Sequence, residues 1–140
     1  MRLLTKGALG FAALAVAAVV RRRASKPTAA SARVVAEPRI TWYVRVPAST
    51  PLEDPVALCG DTQQLGGWNP LGVLLRRVEP RLYRVTMHVP HGTSMNYKIT
   101  RGRWSNVEKS HDGLERANRQ LRVTRDEVVR LEVERWSDLP

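Results

Sequence analysis

Several side chains that mark common functional classes are scarce in this chain of 140 residues. It has one cysteine, Cys59, so it cannot form an intrachain disulfide, and this excludes a small scaffold held together by disulfides. Neither a glycine-rich phosphate-binding loop nor a nucleophile-elbow motif occurs. Cys59 stands in the apolar stretch VALC, which predicts a small buried hydrophobic residue rather than a reactive thiol.

Histidine is also scarce, and the three histidines lack the spacing of metal ligands. His88 and His91 are three positions apart, but no second pair of ligands stands at a recognised offset. Asp61, Glu108 and Asp112 fall in or near predicted loops. Two carboxylates are what glycoside hydrolysis needs, yet nothing in the sequence directs these toward each other. The sequence therefore predicts a protein that is not an enzyme and that uses no metal or cofactor.

Acidic residues are absent from the first 36 positions, which hold seven of the 23 lysines and arginines. The formal net charge of the whole chain is +10, but the later residues carry 16 basic and 13 acidic side chains, a net charge of about +3. Most of the basicity therefore belongs to the N-terminal segment. The composition does not predict nucleic-acid binding, because the body of the chain lacks a strong positive charge.

One long apolar run occurs in that segment; it begins at Gly7 and ends at Val20, with the sequence GALGFAALAVAAVV. Its 14 residues are few for a membrane span, but three arginines follow directly, and their side chains can extend to the lipid interface. We therefore interpret residues 1–23 as an apolar helix that anchors the chain in a membrane. A cleaved signal peptide, which would give a secreted product, and an organelle-targeting peptide are the alternatives.

Residues 24–38 mix Ala, Ser, Thr, Pro and Arg without periodicity, which is typical of a flexible linker. The basic residues that flank the apolar run favour a cytoplasmic location for the rest of the chain by a narrow margin. The predicted organisation is thus an anchor, a linker and a body over residues 39–137.

The body has the hydrophobic pattern of β-strands and no amphipathic helix of useful length. Two-residue alternation or short apolar runs mark seven segments, around residues 40–46, 56–59, 72–78, 83–89, 95–99, 121–123 and 129–133. Turn-forming Gly, Pro, Asn and Asp separate them. This pattern predicts an all-β fold, an immunoglobulin-like antiparallel β-sandwich of about seven strands.

The four tryptophans fall into two pairs. Trp42 and Trp136 are expected to pack in the core or at its edge. Trp68 lies on a turn in QLGGWNP, and Trp104 lies on a long loop in RGRWSN. Exposed indole rings stack on the apolar C–H face of a pyranose, so this second pair suggests a sugar site. The alternative is that both rings cover the ends of the sandwich.

Two polar residues accompany the loop tryptophans. Lys98, in NYKIT, alternates with Tyr97 and Ile99, which predicts that it points away from the core. Asn118 closes the loop that carries Trp104. An ammonium group and an amide provide hydrogen bonds of the kind that sugar hydroxyls need.

The stretches VALCGDTQQLGGWNP, HVPHGTSMNYKITRGRW and ANRQLRV resemble the starch-binding domains, carbohydrate-binding module family 20, in order and spacing. The resemblance covers residues 39–136. It implies a non-catalytic β-sandwich that binds α-1,4-glucan, such as starch, glycogen or maltooligosaccharides. It also implies that Trp68 is the stacking platform, Lys98 a donor and Asn118 an amide partner. A glucan-active enzyme is the partner class that it implies.

The sequence departs from the family pattern in two places. The family's second stacking tryptophan precedes the Asn-Arg pair, where Lys109 or a loop residue stands here, so we expect Trp104 to replace it from earlier in the loop. Glu108 is a further candidate, as an acceptor for sugar hydroxyls. The family's second sugar site depends on exposed tyrosines, and Ala57 occupies one of those positions. A module with one sugar site is therefore predicted.

Two other functions fit the same residues. A sandwich that has lost its sugar site would serve as a protein-interaction adaptor. An anionic-polymer binder would use Arg76, Arg77, Arg81 and Arg84, and salt would weaken its binding steeply. A solvated basic edge strand explains those arginines without a ligand. The interpretation that we carry forward is a membrane-anchored module that holds α-glucan or brings a partner enzyme to it.

Overall fold

The computed structural model describes residues 35–140. Within this range, Glu37–Pro140 forms a compact unit with its own hydrophobic core. The apolar run of residues 7–20 and most of the predicted linker lie outside the described residues, so the anchor helix stays a prediction. In residues 35–140, no helix has the length and apolar character needed to cross a membrane.

Two four-stranded sheets build the unit. The first sheet contains β1 (Arg39–Arg45), β4 (Arg76–Glu79), β5 (Leu82–His88) and β9 (Glu127–Glu132), in the order β4-β5-β1-β9. The second sheet contains β2 (Ala57–Gly60), β3 (Val73–Leu74), β6 (Ser94–Thr100) and β8 (Arg119–Arg122), in the order β3-β2-β6-β8. A short ribbon pairs β7 (Glu108–Lys109) with β10 (Arg135–Trp136).

The core consists of apolar side chains from both sheets. Trp42 on β1 and Tyr97 on β6 meet edge to face, with ring centroids 6.3 Å apart, and the Trp42 indole N–H donates to the Tyr97 hydroxyl at 3.3 Å. Trp136 is buried, and its N–H donates to the Thr50 hydroxyl at 2.8 Å. The prediction that Trp42 and Trp136 pack in the core is therefore confirmed.

The all-β prediction is confirmed, but two of its details are wrong. The pairing is not antiparallel throughout, because β1 runs parallel to β9, from Ile40 opposite Glu127 to Arg45 opposite Glu132. The single strand predicted around residues 72–78 is two strands, β3 in the second sheet and β4 in the first. Leu75 lies between them with a buried side chain, and its N–H donates to the Val56 carbonyl at 2.8 Å. The chain crosses from one sheet to the other at this residue.

Candidate functional site

The turn that follows β2 holds Trp68 in an unusual backbone conformation. After a 3-10 helix at Gln63–Leu65, three successive residues have positive φ angles: 85° at Gly66, 57° at Gly67 and 66° at Trp68. Glycine adopts this region freely, whereas a bulky side chain rarely does. The Trp68 N–H donates to the Gly60 carbonyl at 2.6 Å. The turn thus fixes the indole at the cost of local backbone strain.

This strain predicts an inverted order of stability for two substitutions. We expect the free energy of unfolding of Trp68→Gly to exceed that of Trp68→Ala by about 1 kcal/mol, because alanine keeps the Cβ that disfavours positive φ. Thermal unfolding of the two variants measures the difference. Trp104→Gly and Trp104→Ala serve as the control pair, because Trp104 begins a 3-10 helix. There the alanine variant should have the higher free energy of unfolding. Equal stability of both Trp68 variants would show that no strain is stored there.

Trp104 lies on the loop that follows β6, at the start of a 3-10 helix spanning Trp104–Asn106. Asn106 orders this loop, because its side-chain oxygen accepts from the Arg103 N–H at 2.9 Å and its carbonyl accepts from the Arg101 N–H at 3.1 Å. The Trp104 side chain is 44% exposed. Its ring centroid is 6.2 Å from that of the half-buried Trp68, and the two planes are inclined at 46°. The structure therefore brings the two loop tryptophans into ring contact.

Lys98 points out of the core, as the alternation predicts, but it is not exposed to solvent. Its residue is 9% exposed because the loop before β8 covers it. The ammonium group donates to the Arg116 carbonyl at 2.5 Å and lies 3.5 Å from the carboxylate of Glu115. One hydrogen bond and one ion pair thus tie the ammonium group to the loop.

Asn118 is exposed and stands directly before β8. The pairing of β6 with β8 ends with Tyr97 opposite Arg119. Continued by one residue, this register sets Asn118 opposite Lys98, on the outer face of the second sheet. Lys98 and Asn118 therefore share a face, and the loop that ends at Asn118 also holds the Lys98 ammonium.

Glu108 lies beneath this loop, where a sugar cannot reach it. Its carboxylate is fully buried and accepts three hydrogen bonds from the Arg119 guanidinium, at 2.9, 3.2 and 3.2 Å. Arg116 lies 3.6 Å from the same carboxylate. Burial raises the pKa of Glu108 above its ordinary value, although the Arg119 hydrogen bonds oppose this. The expectation that Glu108 accepts hydrogen bonds from sugar hydroxyls is not supported, because the arginines occupy it.

Two residues that contact Lys98 were not singled out from the sequence, and Asp61, considered there only as a possible catalytic carboxylate, has a different role. Glu115 and Arg116 contact the Lys98 ammonium group. They stand in a loop without periodicity, so the sequence did not indicate this contact. Asp61 accepts from the Asn96 backbone and side-chain N–H groups at 3.0 and 2.9 Å, and the side-chain bond lowers the pKa of its carboxyl. Asp61 therefore ties the turn that leads to Trp68 to β6.

Cys59 and Ala57 behave as small core residues. Both are fully buried on β2, and burial raises the pKa of the Cys59 thiol to about 11, so the thiol is neutral at physiological pH. Because Ala57 is buried, it offers no surface for a second sugar site. No group of three or more His, Cys, Asp or Glu residues in residues 35–140 is arranged to hold a metal ion.

A β-sandwich that presents an indole pair on its loops has the form of a carbohydrate-binding module. The family model for the starch binding domain matches residues 39–132. The chain therefore belongs to the starch-binding domain family.

Relatives with this domain are longer enzymes. An alpha-amylase from Niallia circulans is 37% identical over 100 residues, which are 71% of this chain and 8% of the amylase. An amylopullulanase from Thermoanaerobacter thermohydrosulfuricus is 33% identical over 106 residues, which are 73% of this chain and 7% of that protein. The chain thus spans less than a tenth of the length of these relatives.

A solved structure shows the same fold. It is a glycoside hydrolase family 15 glucoamylase from Hypocrea jecorina, similar to this chain with a TM-score of 0.58 at 19% identity, over 74% of this chain and 18% of the glucoamylase. At this level of identity the similarity concerns the fold alone.

Proposed function

We propose that the indole pair of Trp68 and Trp104 binds one α-1,4-glucan chain of the starch or glycogen type. The proposal rests on the contact between these two rings, whose centroids are 6.2 Å apart. The two tryptophans come from separate loops, and Trp104 is 44% exposed. A half-buried and an exposed ring side by side offer an apolar surface on which the C–H faces of glucose units stack.

We include in the proposed site two polar residues at the second sheet, Asn118 and Lys98. Asn118 is exposed and provides both a donor and an acceptor for hydroxyl groups. Lys98 joins the proposed site only through the part of its ammonium group that the loop leaves uncovered, since its side chain is 11% exposed. Membership of the starch-binding family favours this function over that of a protein-interaction adaptor.

Calorimetry of the full chain with maltoheptaose tests the proposal. One such site is expected to bind with a dissociation constant on the order of 10 to 1,000 μM. Because each ring provides stacking surface, Trp68→Ala and Trp104→Ala are each expected to weaken binding by roughly tenfold or more. Tyr43→Ala is the matched control, since it removes an aromatic ring from the first sheet, and its affinity should equal that of the wild type. Unchanged binding in both tryptophan variants would place the site elsewhere.

We further propose that the segment of residues 1–23 holds this module at a membrane, where it tethers the polymer or brings a glucan-active enzyme to it. The support is the apolar run from Gly7 to Val20 and the three arginines that follow it. A single weak site would then hold polymer through many copies on one surface. Flotation of the full chain with phosphatidylcholine vesicles tests the tether, and a chain that remains in the dense fraction would contradict it.

A further inference from the structure

A row of basic residues crosses the outer face of the first sheet. The strand registers place Arg76 opposite Arg84, Arg84 opposite Tyr43, and Tyr43 opposite Arg130, one residue from each of the four strands. The guanidinium carbons of Arg84 and Arg130 lie 5.8 and 4.7 Å from the centroid of the Tyr43 ring. Cation–π contact therefore orders two of the three arginines around one tyrosine. We call these four residues the arginine row.

The charge of the arginine row is not neutralised within the body. All three arginines are exposed, and within the described part of the chain none of them forms an ion pair with a carboxylate. Arg76 and Arg84 face each other directly across the β4–β5 pair, an arrangement that destabilises a sheet when nothing neutralises it. The row thus presents three positive charges to whatever meets this face.

Acidic residues stand at both ends of this face, because the exposed Asp126 accepts from the Arg39 N–H at the start of β1. Glu132 stands opposite Arg45 at the C-terminal end of β1, and Glu79 stands opposite Leu82 in the same transverse row. On the other side of the arginine row, toward the start of β1, the face continues with Thr41, Thr86 and the 55% exposed Val128. A shallow cavity of about 320 Å³ lined by Arg76, Val78, Arg84, Val85 and Thr86 opens on this face. The positive charge of this face is therefore concentrated in the arginine row, midway along the strands.

We propose that this face docks on the anionic headgroup layer of the membrane that holds residues 7–20. The proposal rests on the proposed tether and adds to it a contact made by the body. Guanidinium groups attract anionic lipid, and Arg and Tyr side chains suit the interface because each combines an apolar part with a polar end. Because the proposed tether holds the chain at the bilayer, a weak contact between the body and the lipid suffices. The arginine row then faces the lipid.

A fluorescent label on the docking face tests the proposal in the full chain. Cys59 is fully buried, so a cysteine introduced in place of Val128 can be labelled selectively with an environment-sensitive dye. The labelled chain is assembled into nanodiscs of phosphatidylcholine alone, or of two thirds phosphatidylcholine and one third phosphatidylserine. We expect a blue shift of the emission only in the discs that contain phosphatidylserine, and we expect high salt to reverse it. A label at Gln120, on the second sheet, should show no shift.

Matched charge reversals assign the effect to the arginine row. Arg84→Glu is expected to lower the ratio of docked to undocked chains by roughly tenfold or more, since each basic residue near an anionic surface contributes roughly fivefold. Arg122→Glu makes the same change of charge on β8 of the second sheet and should leave the shift intact. A shift that persists in Arg84→Glu, or that is equal in both lipids, would overturn the proposal.

The same samples separate the docking contact from the tether. Chains that co-purify with both kinds of disc but show no shift at position 128 would overturn docking and leave the tether standing. Chains that do not co-purify with the discs would overturn the tether and docking with it. The binding of maltoheptaose is measured separately and is unaffected by either result.

Discussion

Replacing Glu108 with alanine is expected to lower the free energy of unfolding by about 3 to 5 kcal/mol, or the melting temperature by roughly 15 to 30 °C. The carboxylate is fully buried and is the ion-pair partner of Arg119, whose side chain is 9% exposed. Removal of the side chain leaves this guanidinium buried without the oxygen atoms that accept its hydrogen bonds, which Glu108 provides whether or not it is protonated. Chemical unfolding of the full chain measures the loss. Glu115→Ala is the control, because that carboxylate is 80% exposed. Its ion pair with Lys98 should contribute at most about 1 kcal/mol to the free energy of unfolding.

The same carboxylate predicts how stability depends on pH. Burial raises the pKa of Glu108 above 4.5, so the folded state binds its proton more tightly than the unfolded state does. The contribution of Glu108 to stability is therefore greatest below pH 4.5 and falls as the pH rises through the raised pKa. Relative to Glu108→Gln, which does not titrate, the wild type should gain stability as the pH is lowered from neutral toward 4.5. If the wild type instead lost stability relative to Glu108→Gln as the pH was lowered, the raised pKa would be contradicted.

Gly60→Ala is the second substitution with a large expected effect. A methyl group at this position would stand 2.5 Å from the Asn96 carbonyl oxygen and 2.9 Å from the Tyr97 Cβ. Both belong to β6 and cannot move without disturbing the sheet, so we expect a loss of about 3 kcal/mol in the free energy of unfolding. The Gly60 carbonyl also accepts the Trp68 N–H, so the affinity for maltoheptaose should fall as well.

Gly67→Ala separates steric conflict from backbone preference in the same turn. Space around Gly67 is open, since no heavy atom beyond its two chain neighbours lies within 4 Å of an added Cβ, but its φ is 57°. Gly67→Ala should therefore lower the free energy of unfolding by only about 1 kcal/mol. If Gly60→Ala were no more destabilising than Gly67→Ala, the close approach of β2 to β6 would not be the constraint that we infer.

The strands that bury one face could be predicted from the sequence, because apolar and polar residues alternate along a strand that has one buried face. Trp42 between Ile40 and Val44 is an example. The parallel pairing of β1 with β9 could not be predicted, because alternation does not record which strand lies alongside. The crossing between the two sheets at Leu75 could not be predicted either. A single buried residue followed by two arginines is too short a segment to show any hydrophobic periodicity.

The candidate site was predictable in the types of its residues and not in their environment. Exposed tryptophans in irregular segments pointed to Trp68 and Trp104, and the structure places their rings in contact. Alternation gave the direction of Lys98 but not its burial, because the loop that covers it is held by ion pairs between residues distant in sequence. Glu108 was misread for the same reason, since only the fold reveals that Arg119 occupies its carboxylate.

The position of β1 between β5 and β9 governs how the chain can fold as it is made. The Arg39 N–H donates to the Asp126 carboxylate across 87 positions of sequence, and every β1 contact with β9 is of similar range. Such distant pairing is slow to form, because a long stretch of chain must be ordered first. Until Glu127–Glu132 has left the ribosome, one edge of β1 has no partner within the body, and an open strand edge invites pairing with another chain. The last long strand to be synthesised is thus the one that protects the first.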